Sequence, residues 1–166
     1  MGSMSTLLAQ AVDLRLLRPL DKQYAQLLAD DSQPARLLAA ACLSAEVGEG
    51  HVCLPLSQLS QHQLFKGRHP ELAQAMWQAA GEPEEWQAAL ANWSALSNSE
   101  QAAPIVLSEQ RLYLHRFWHH EGQVANFFRA QSAAQQFETA KVRAVLDALF
   151  GTQPDDWQKI AAAVAL

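Results

Sequence analysis

Prolines divide this sequence into short segments, and that division constrains the fold more than any other feature. Proline is tolerated in the first turn of an α-helix but disrupts a helix interior. Apolar residues recur at helical spacing after five of the seven prolines. These five are Pro19, Pro34, Pro70, Pro83 and Pro154. The sequence therefore predicts separate helices that begin at these prolines.

Each predicted helix carries an apolar face with which it can pack into a core. The N-terminal helix has Leu7, Ala11 and Leu14; the later faces are Leu20, Tyr24, Leu27 and Leu28; Leu37, Leu38, Ala41, Cys42 and Ala45; Leu72, Ala75, Met76 and Ala79; Trp86, Ala89, Leu90 and Trp93; Val142, Val145, Leu146 and Leu149; and Trp157, Ile160, Ala161 and Val164. Gly48, Gly81 and Gly151 follow three of these faces and predict helix ends.

Two alternating segments predict a small β-hairpin within the helical chain. PIVL (104–107) and RLYL (111–114) flank the connection SEQ (108–110), which lacks the glycine common in such turns. Residues 51–54 predict another extended piece, followed by a short helix after Pro55. The predicted fold class is mainly α: a compact helical domain with one small β-hairpin.

The stretch RLYLHRFWHHEGQVANFF (111–128) joins the hairpin to the next predicted helix, which runs from about His115 to Gln131. In the strand, Leu112 and Leu114 share one face, and Arg111 and Tyr113 share the other. Along the helix, the expected buried face continues through Phe117, Val124 and Phe128. The exposed remainder is the expected partner contact, because interface cores favour aromatic residues and arginine. The candidate residues are Arg111, Tyr113, Arg116 and Trp118.

Composition and charge restrict the classes of function. Apolar residues make up 49% of the chain and charged residues 17%, which is typical of a globular protein. The net charge is −5 and no cluster of lysine and arginine exceeds two, so binding of free nucleic acid by this chain alone is not expected. No apolar run approaches a membrane span, and no membrane partner is expected. Two cysteines without a disulfide framework predict a reduced, cytoplasmic protein.

Histidine and cysteine chemistry remains an alternative. His115 and His119 are four residues apart, a spacing that lets two imidazoles share a metal on one helical face. The other interpretation is a strand-to-helix corner with polar tips in solvent, and we predict no metal ligands. A His–Cys nucleophile pair from His51 and Cys53 would need an orienting third group. The carboxylate pairs Glu84-Glu85 and Asp155-Asp156 fit first turns of helices, so no catalytic residue is predicted.

Three segments resemble the N-terminal region of the RecD family, the alpha subunit of bacterial exonuclease V (RecBCD). They are LLAAACLSAEVGEGHVCLPLSQL (37–59), PIVLSEQRLYLHRFWHHE (104–121) and DWQKIAAAVAL (156–166). Their order and spacing match, and GHVCLPL and LYL-x-R-[FYW]-W are the specific parts. Residues 1–3 are expected to be an expression-tag remnant, because a second methionine, Met4, follows them directly. The resemblance implies a RecD N-terminal helical domain at 4–153, and at 154–166 the start of a helix leading into a motor domain.

The resemblance also implies function. The parent would be a superfamily 1 helicase that uses ATP and Mg²⁺, moves 5′ to 3′ on DNA and processes double-strand breaks. Its N-terminal domain would hold the subunit in the complex, chiefly against RecC, with RecB as the second partner. Gln158 stands where such helicases carry an adenine-reading glutamine, although without a P-loop we expect no cofactor for this chain itself. The leading hypothesis is a non-catalytic docking domain; the alternatives are a DNA-contacting wedge and an unrelated small His/Cys enzyme.

Overall fold

The structure is a computed structural model, and it describes residues 2–98, 102–131, 138–153 and 155–165. The chain divides into two compact units, which we call the first unit (Met1–Gly122) and the second unit (Gln123–Leu166). The described part is mainly helical with a small four-stranded sheet, so the predicted fold class is confirmed. The boundaries proposed from sequence, 4–153 and 154–166, stay a prediction.

Within its described residues, the first unit contains five complete helices, all four strands of the sheet and the start of a sixth helix. Its helices are α1 (Met4–Asp13), α2 (Pro19–Leu28), α3 (Pro34–Gly48), α4 (Pro70–Ala79) and α5 (Trp86–Ala89). Helices α2, α3 and α4 begin at the prolines named from the sequence, which confirms those starts. The helix predicted from Pro83 begins three residues later, with Glu85 as its N-cap, and spans a single turn. That start was therefore wrong.

Helix α3 lies at the centre of the first unit, in contact with α1, α2, α4 and strands of the sheet. The predicted face Leu37, Leu38 and Ala41 is buried, but Ala39, Ala40 and Leu43 are buried as well. A helix covered on nearly all sides is a core helix, not a surface amphipathic one. Its alanines let neighbouring backbones approach closely.

In the first unit, Leu14, Leu20 and Leu27 were predicted to be buried but are exposed. Leu14 is the C-cap of α1, while Leu20 and Leu27 lie on the outer side of α2 and are 60% and 80% exposed. The reason is that α2 turns a different face to α3. Its buried residues are Asp21 and Ala25, which are four positions apart.

The strands form one sheet in the order β1-β4-β3-β2. They are β1 (Cys53–Pro55), β2 (Leu96–Ser97), β3 (Ile105–Ser108) and β4 (Arg111–Leu114). The predicted hairpin is confirmed as the antiparallel pair β3–β4. The sequence did not predict that the hairpin is part of a larger sheet, in which β1 pairs antiparallel with β4 and β2 pairs parallel with β3. A 3₁₀ turn, Leu56–Gln58, follows Pro55 as predicted.

The hairpin turn works without glycine because two ordinary residues adopt the left-handed conformation. Glu109 has φ 47° and Gln110 has φ 62°, the pair of positive angles that a type I′ turn requires. The turn therefore supplies the twist that matches the two strands. At the far end of the two strands, Ile105 is 0% exposed and pairs with the half-buried Leu114.

A buried carboxylate ties α2 to α3. Asp21, 1% exposed, accepts hydrogen bonds from the backbone nitrogen of Arg18 at 2.8 Å, from the Arg18 guanidinium at 2.6 and 3.1 Å, and from the Ser44 hydroxyl at 2.7 Å. The same guanidinium donates to the Ser44 carbonyl at 2.9 Å. Burial disfavours the charged carboxylate, but these hydrogen bonds outweigh burial and hold the pKa of Asp21 below its usual value.

Gly48 makes room for that arrangement. A Cβ built on Gly48 would stand 2.1 Å from the guanidinium atoms of Arg18, so alanine there forces Arg18 off Asp21 and Ser44. We expect Gly48→Ala to lower the free energy of unfolding by about 1–2 kcal/mol, the lost hydrogen bonds exceeding the gain in helix propensity. Urea unfolding followed by far-ultraviolet circular dichroism measures the change.

Two controls distinguish this contact from a general effect of glycine. Gly122 lies within a helix with open space around it, and Gly122→Ala is expected to stabilise by up to about 1 kcal/mol. In an Arg18→Ala background, Gly48→Ala should also become stabilising, because the clash is gone. A destabilising Gly48→Ala in that background would contradict the proposed contact.

The second unit contains the end of α6 (His115–Gln131) together with α7 (Thr139–Phe150) and α8 (Trp157–Val164). The bounds predicted for α6 are confirmed. The predicted burial of Val124 and Phe128 on this helix is wrong, because these side chains are 57% and 64% exposed. Helices α7 and α8 pack together, and Lys159 joins them through Asp147 and through the Gly151 carbonyl at 2.8 Å. Pro154, which was predicted to open the last helix, lies outside the described residues. The N-cap residue of α8 is Asp156.

Candidate functional site

The structure separates the four residues named as partner contacts. Tyr113 is 4% exposed and belongs to the sheet, whereas Arg111 beside it is exposed, with its guanidinium 3.9 Å from the Glu109 carboxylate. Burial raises the pKa of the Tyr113 hydroxyl, and its hydrogen bond with Arg111 partly offsets that rise. Tyr113 therefore forms a hydrogen bond with the Arg111 side chain, and Arg111 is the member of this pair that a partner can reach.

Arg116 and Trp118 lie one helical turn further on, at the start of α6. The Arg116 guanidinium stands 4.7 Å from the centre of the Phe117 ring, a cation–π contact. Trp118 is half-buried and its ring centre lies 6.2 Å from that of His115. Two residues apart on a helix, their side chains point in different directions. The four residues are therefore neighbours along the chain without forming one flat patch.

Tyr24 on α2 lies within the electrostatic reach of Arg116. Burial raises the pKa of Tyr24 to about 12, and the positive charge of Arg116 acts in the opposite direction. The Tyr24 hydroxyl is buried and has no hydrogen-bond partner among the described residues. The exposed leucines of α2, Leu20 and Leu27, flank Tyr24 on the same helix. The sequence did not predict this proximity of Tyr24 to Arg116, because Leu20 and Leu27 were expected in the core.

Two of the histidine rings at the start of α6 are stacked. The rings of His115 and His119 are nearly parallel with their centres 6.4 Å apart, and His119 and His120 are exposed. Among the residues that the structure describes, no group of three or more histidine, cysteine, aspartate or glutamate side chains could hold a metal ion.

In the same described ranges, no helix is long and apolar enough to cross a membrane.

Gln158 is the second residue of α8. Its backbone nitrogen donates to the Asp156 carboxylate at 2.8 Å, so Asp156 fixes the start of this helix. The residue is exposed, as is Trp157 before it at 81%. The adenine contact suggested for Gln158 stays a prediction.

A cavity that sequence reasoning did not identify lies in the first unit. It has a volume of about 650 Å³ and lies between the C-terminal end of α3, strand β1 and the segment that connects β1 to α4. His51, Cys53 and Cys42 all line it. Burial raises the pKa of the Cys42 thiol to about 12, so this thiol stays protonated. Within the described ranges, His51 contacts Glu46 at 3.5 Å and neither cysteine, which is not the nucleophile–base contact that covalent catalysis needs.

These features define a small, mainly helical domain with one sheet, a basic-and-aromatic corner at the start of α6 and a cavity beside α3. The family model described as "RecBCD enzyme subunit RecD, N-terminal domain" matches residues 13–113. The chain belongs to this family. The match lies within the first unit and covers α2 to α5 and nearly all of the sheet.

Curated relatives agree with the family. The protein named RecBCD enzyme subunit RecD from Buchnera aphidicola subsp. Acyrthosiphon pisum (strain APS) is 26% identical over 163 residues, which is 98% of this chain and 27% of that protein. The protein of the same name from Haemophilus influenzae (strain ATCC 51907 / DSM 11121 / KW20 / Rd) is 27% identical over 186 residues, 98% of this chain and 29% of the relative. The chain spans little more than a quarter of the length of the curated relatives that it matches.

Proposed function

We propose that this chain is the docking domain of a RecD subunit, the part that holds the subunit in a RecBCD complex, chiefly against RecC and secondarily against RecB. The observation that carries the proposal is the family match to the RecD N-terminal domain over residues 13–113. The relatives are named as subunits of an enzyme, and a subunit needs a surface for its neighbours. The exposed apolar and arginine side chains of the first unit have the composition of such a surface.

The activity of the longer parent is part of the same proposal. In it, a motor that uses ATP and Mg²⁺ moves 5′ to 3′ on DNA and processes double-strand breaks for recombinational repair. Gln158 would contact adenine only when the phosphate-binding loop of that motor is present, because a single amide reads a base edge but cannot hold a triphosphate. The chain contributes assembly, and DNA reaches the complex through the other parts of the enzyme.

Co-purification tests the docking role. The 166-residue chain is mixed with purified RecC, with RecB and with neither, and each mixture is separated by size-exclusion chromatography. We expect a stable complex with RecC and weaker association with RecB. Substitution of Arg116→Ala and Trp118→Ala together is expected to weaken the RecC complex about tenfold or more, because aromatic and arginine anchors dominate interface energies. Lys141→Ala, an exposed change elsewhere, is the matched control.

The results separate the competing functions. A chain that elutes alone in the presence of RecC contradicts the docking role. Binding of a single-stranded oligonucleotide with a steep dependence on salt would favour the DNA-contacting wedge, since phosphate contacts release counterions. Unchanged RecC binding by the double variant would leave docking in place but remove Arg116 and Trp118 from the interface.

A further inference from the structure

The second unit has no buried core among the residues that the structure describes. Every described side chain from Gln123 onwards is partly or fully exposed. The large apolar residues are among the most exposed, with Leu149 at 71% and Val164 at 81%. Segments of about forty residues bury little surface when they fold alone, and they are usually stabilised by additional contacts. Further polypeptide is therefore needed to cover this unit.

The exposed apolar residues are arranged as helix faces, which is how a helix packs against other protein. On α7, Val145 and Leu149 are four positions apart and lie on one side. On α8, Trp157, Ile160 and Val164 recur at i, i+3 and i+7, and all three are exposed. We call these five residues the apolar surface of the second unit.

Polar contacts hold α7 and α8 in place without using the apolar surface. The Lys159 ammonium pairs with the Asp147 carboxylate and donates to the Gly151 carbonyl at 2.8 Å. The Asp156 carboxylate accepts from the backbone nitrogens of Gln158 and Lys159 at 2.8 and 3.3 Å. The two helices are thus positioned before their apolar residues are covered, which lowers the entropic cost of packing another segment against them.

The comparisons with known proteins restrict what covers this surface. The family model for the N-terminal domain ends at residue 113, before the second unit begins. The match to the Buchnera aphidicola relative nevertheless covers 98% of this chain, and so it extends through the second unit. The same match covers only 27% of that relative. The second unit therefore corresponds to a part of the RecD proteins that lies beyond the N-terminal domain model.

We propose that the apolar surface of the second unit is an internal interface of the full-length subunit, covered by residues that follow position 166 in the RecD parent. The inference rests on the family membership and goes beyond the docking role. It makes the second unit part of the structure that follows in the parent, and it leaves docking to the first unit. A second copy of the chain or a partner subunit would instead require this surface to stay open in the full-length subunit.

The reactivity of single introduced cysteines with N-ethylmaleimide tests the proposal, in the 166-residue chain and in the full-length RecD subunit that contains it. Leu149→Cys and Val164→Cys probe the apolar surface. Arg143→Cys is the control, an exposed position on α7 whose side chain points away from Val145, two residues on. Peptide mass spectrometry distinguishes these sites from Cys42 and Cys53, which lie in the first unit.

In the 166-residue chain, all three cysteines are expected to react at similar rates. In the full-length subunit, Leu149→Cys and Val164→Cys should react about tenfold more slowly or less, since labelling then requires local opening, while Arg143→Cys keeps its rate. Hydrogen–deuterium exchange of the unsubstituted proteins is a second readout that no substitution can disturb. Exchange in 155–165 should be slower in the full-length subunit.

The other outcomes would overturn the proposal. Equal cysteine reactivity and equal hydrogen exchange in the two proteins would show that nothing in the parent covers the surface. Slower labelling only after RecC is added would assign the surface to the partner, and slower labelling only at high concentration of the 166-residue chain would assign it to a second copy. Equal slowing of Arg143→Cys would contradict a specific face. The main comparison contains no RecC, so failure here leaves the docking role intact.

Discussion

Replacement of Trp86 by alanine is expected to lower the free energy of unfolding by about 3–5 kcal/mol. Trp86 is 6% exposed, its indole nitrogen donates to the Leu59 carbonyl at 2.7 Å, and its ring centre lies 6.0 Å from that of Trp77. The alanine variant loses this packing and leaves the Leu59 carbonyl without its donor. Urea unfolding followed by far-ultraviolet circular dichroism gives the change independently of tryptophan fluorescence.

Trp157 provides a control that matches Trp86 in local sequence. Both tryptophans are the first residue of a short helix, and two carboxylates and a proline precede each. Trp157 is 81% exposed, and Trp157→Ala is expected to change the stability by less than about 0.5 kcal/mol. Equal losses for the two variants would contradict the placement of Trp86 in the core. Trp86→Phe should keep part of the packing but lose the hydrogen bond.

Replacement of Asp21 by asparagine is expected to cost about 2–3 kcal/mol at neutral pH. Asp21 is buried with four hydrogen bonds to Arg18 and Ser44, and removal of one member of a buried pair is strongly destabilising. The cost falls below that of a fully buried pair because the Arg18 side chain is 48% exposed and can be solvated alone. Thermal and urea unfolding of the two proteins at a series of pH values measures the difference.

The pH dependence has a definite sign. The pKa of Asp21 is lower in the folded chain than in the unfolded one, so its stabilising contribution is present above the unfolded value, about 4. That contribution is lost as the pH falls through the folded value. The stability difference between wild type and Asp21→Asn should therefore shrink in acid. A constant difference from pH 7 to pH 2 would contradict the charged, hydrogen-bonded carboxylate. Glu49→Gln, at a surface pair, should have a much smaller effect.

Local sequence signals predicted the elements well where the elements are local. The starts of α2, α3 and α4 follow from proline chemistry, and the bounds of α6 and the β3–β4 hairpin follow from periodicity. The recognised family is confirmed too. What periodicity could not supply is which face of a helix is covered. In α2, Leu20 and Leu27 point outwards and Asp21 points inwards, because Ser44, 23 positions away, supplies one of the hydrogen bonds that permit its burial.

In the candidate site, too, the local features could be predicted from the sequence and the features that depend on distant contacts could not. The basic and aromatic residues at the start of α6 could be named from the sequence, but Tyr113 is buried within the sheet. The cavity beside α3 could not be predicted, since its walls come from distant segments of the chain and its mouth depends on left-handed residues such as Phe65 and Lys66. Residues other than glycine rarely adopt the left-handed conformation, so the sequence alone does not predict it at Phe65 and Lys66.

Hydrogen–deuterium exchange on the complex of this chain with RecC tests the central claim, that the first unit is the docking surface. The account predicts slower exchange on binding within the first unit and little change in 138–165. Protection confined to the second unit, or no protection in any part of the chain under conditions where RecC is saturated, would contradict it.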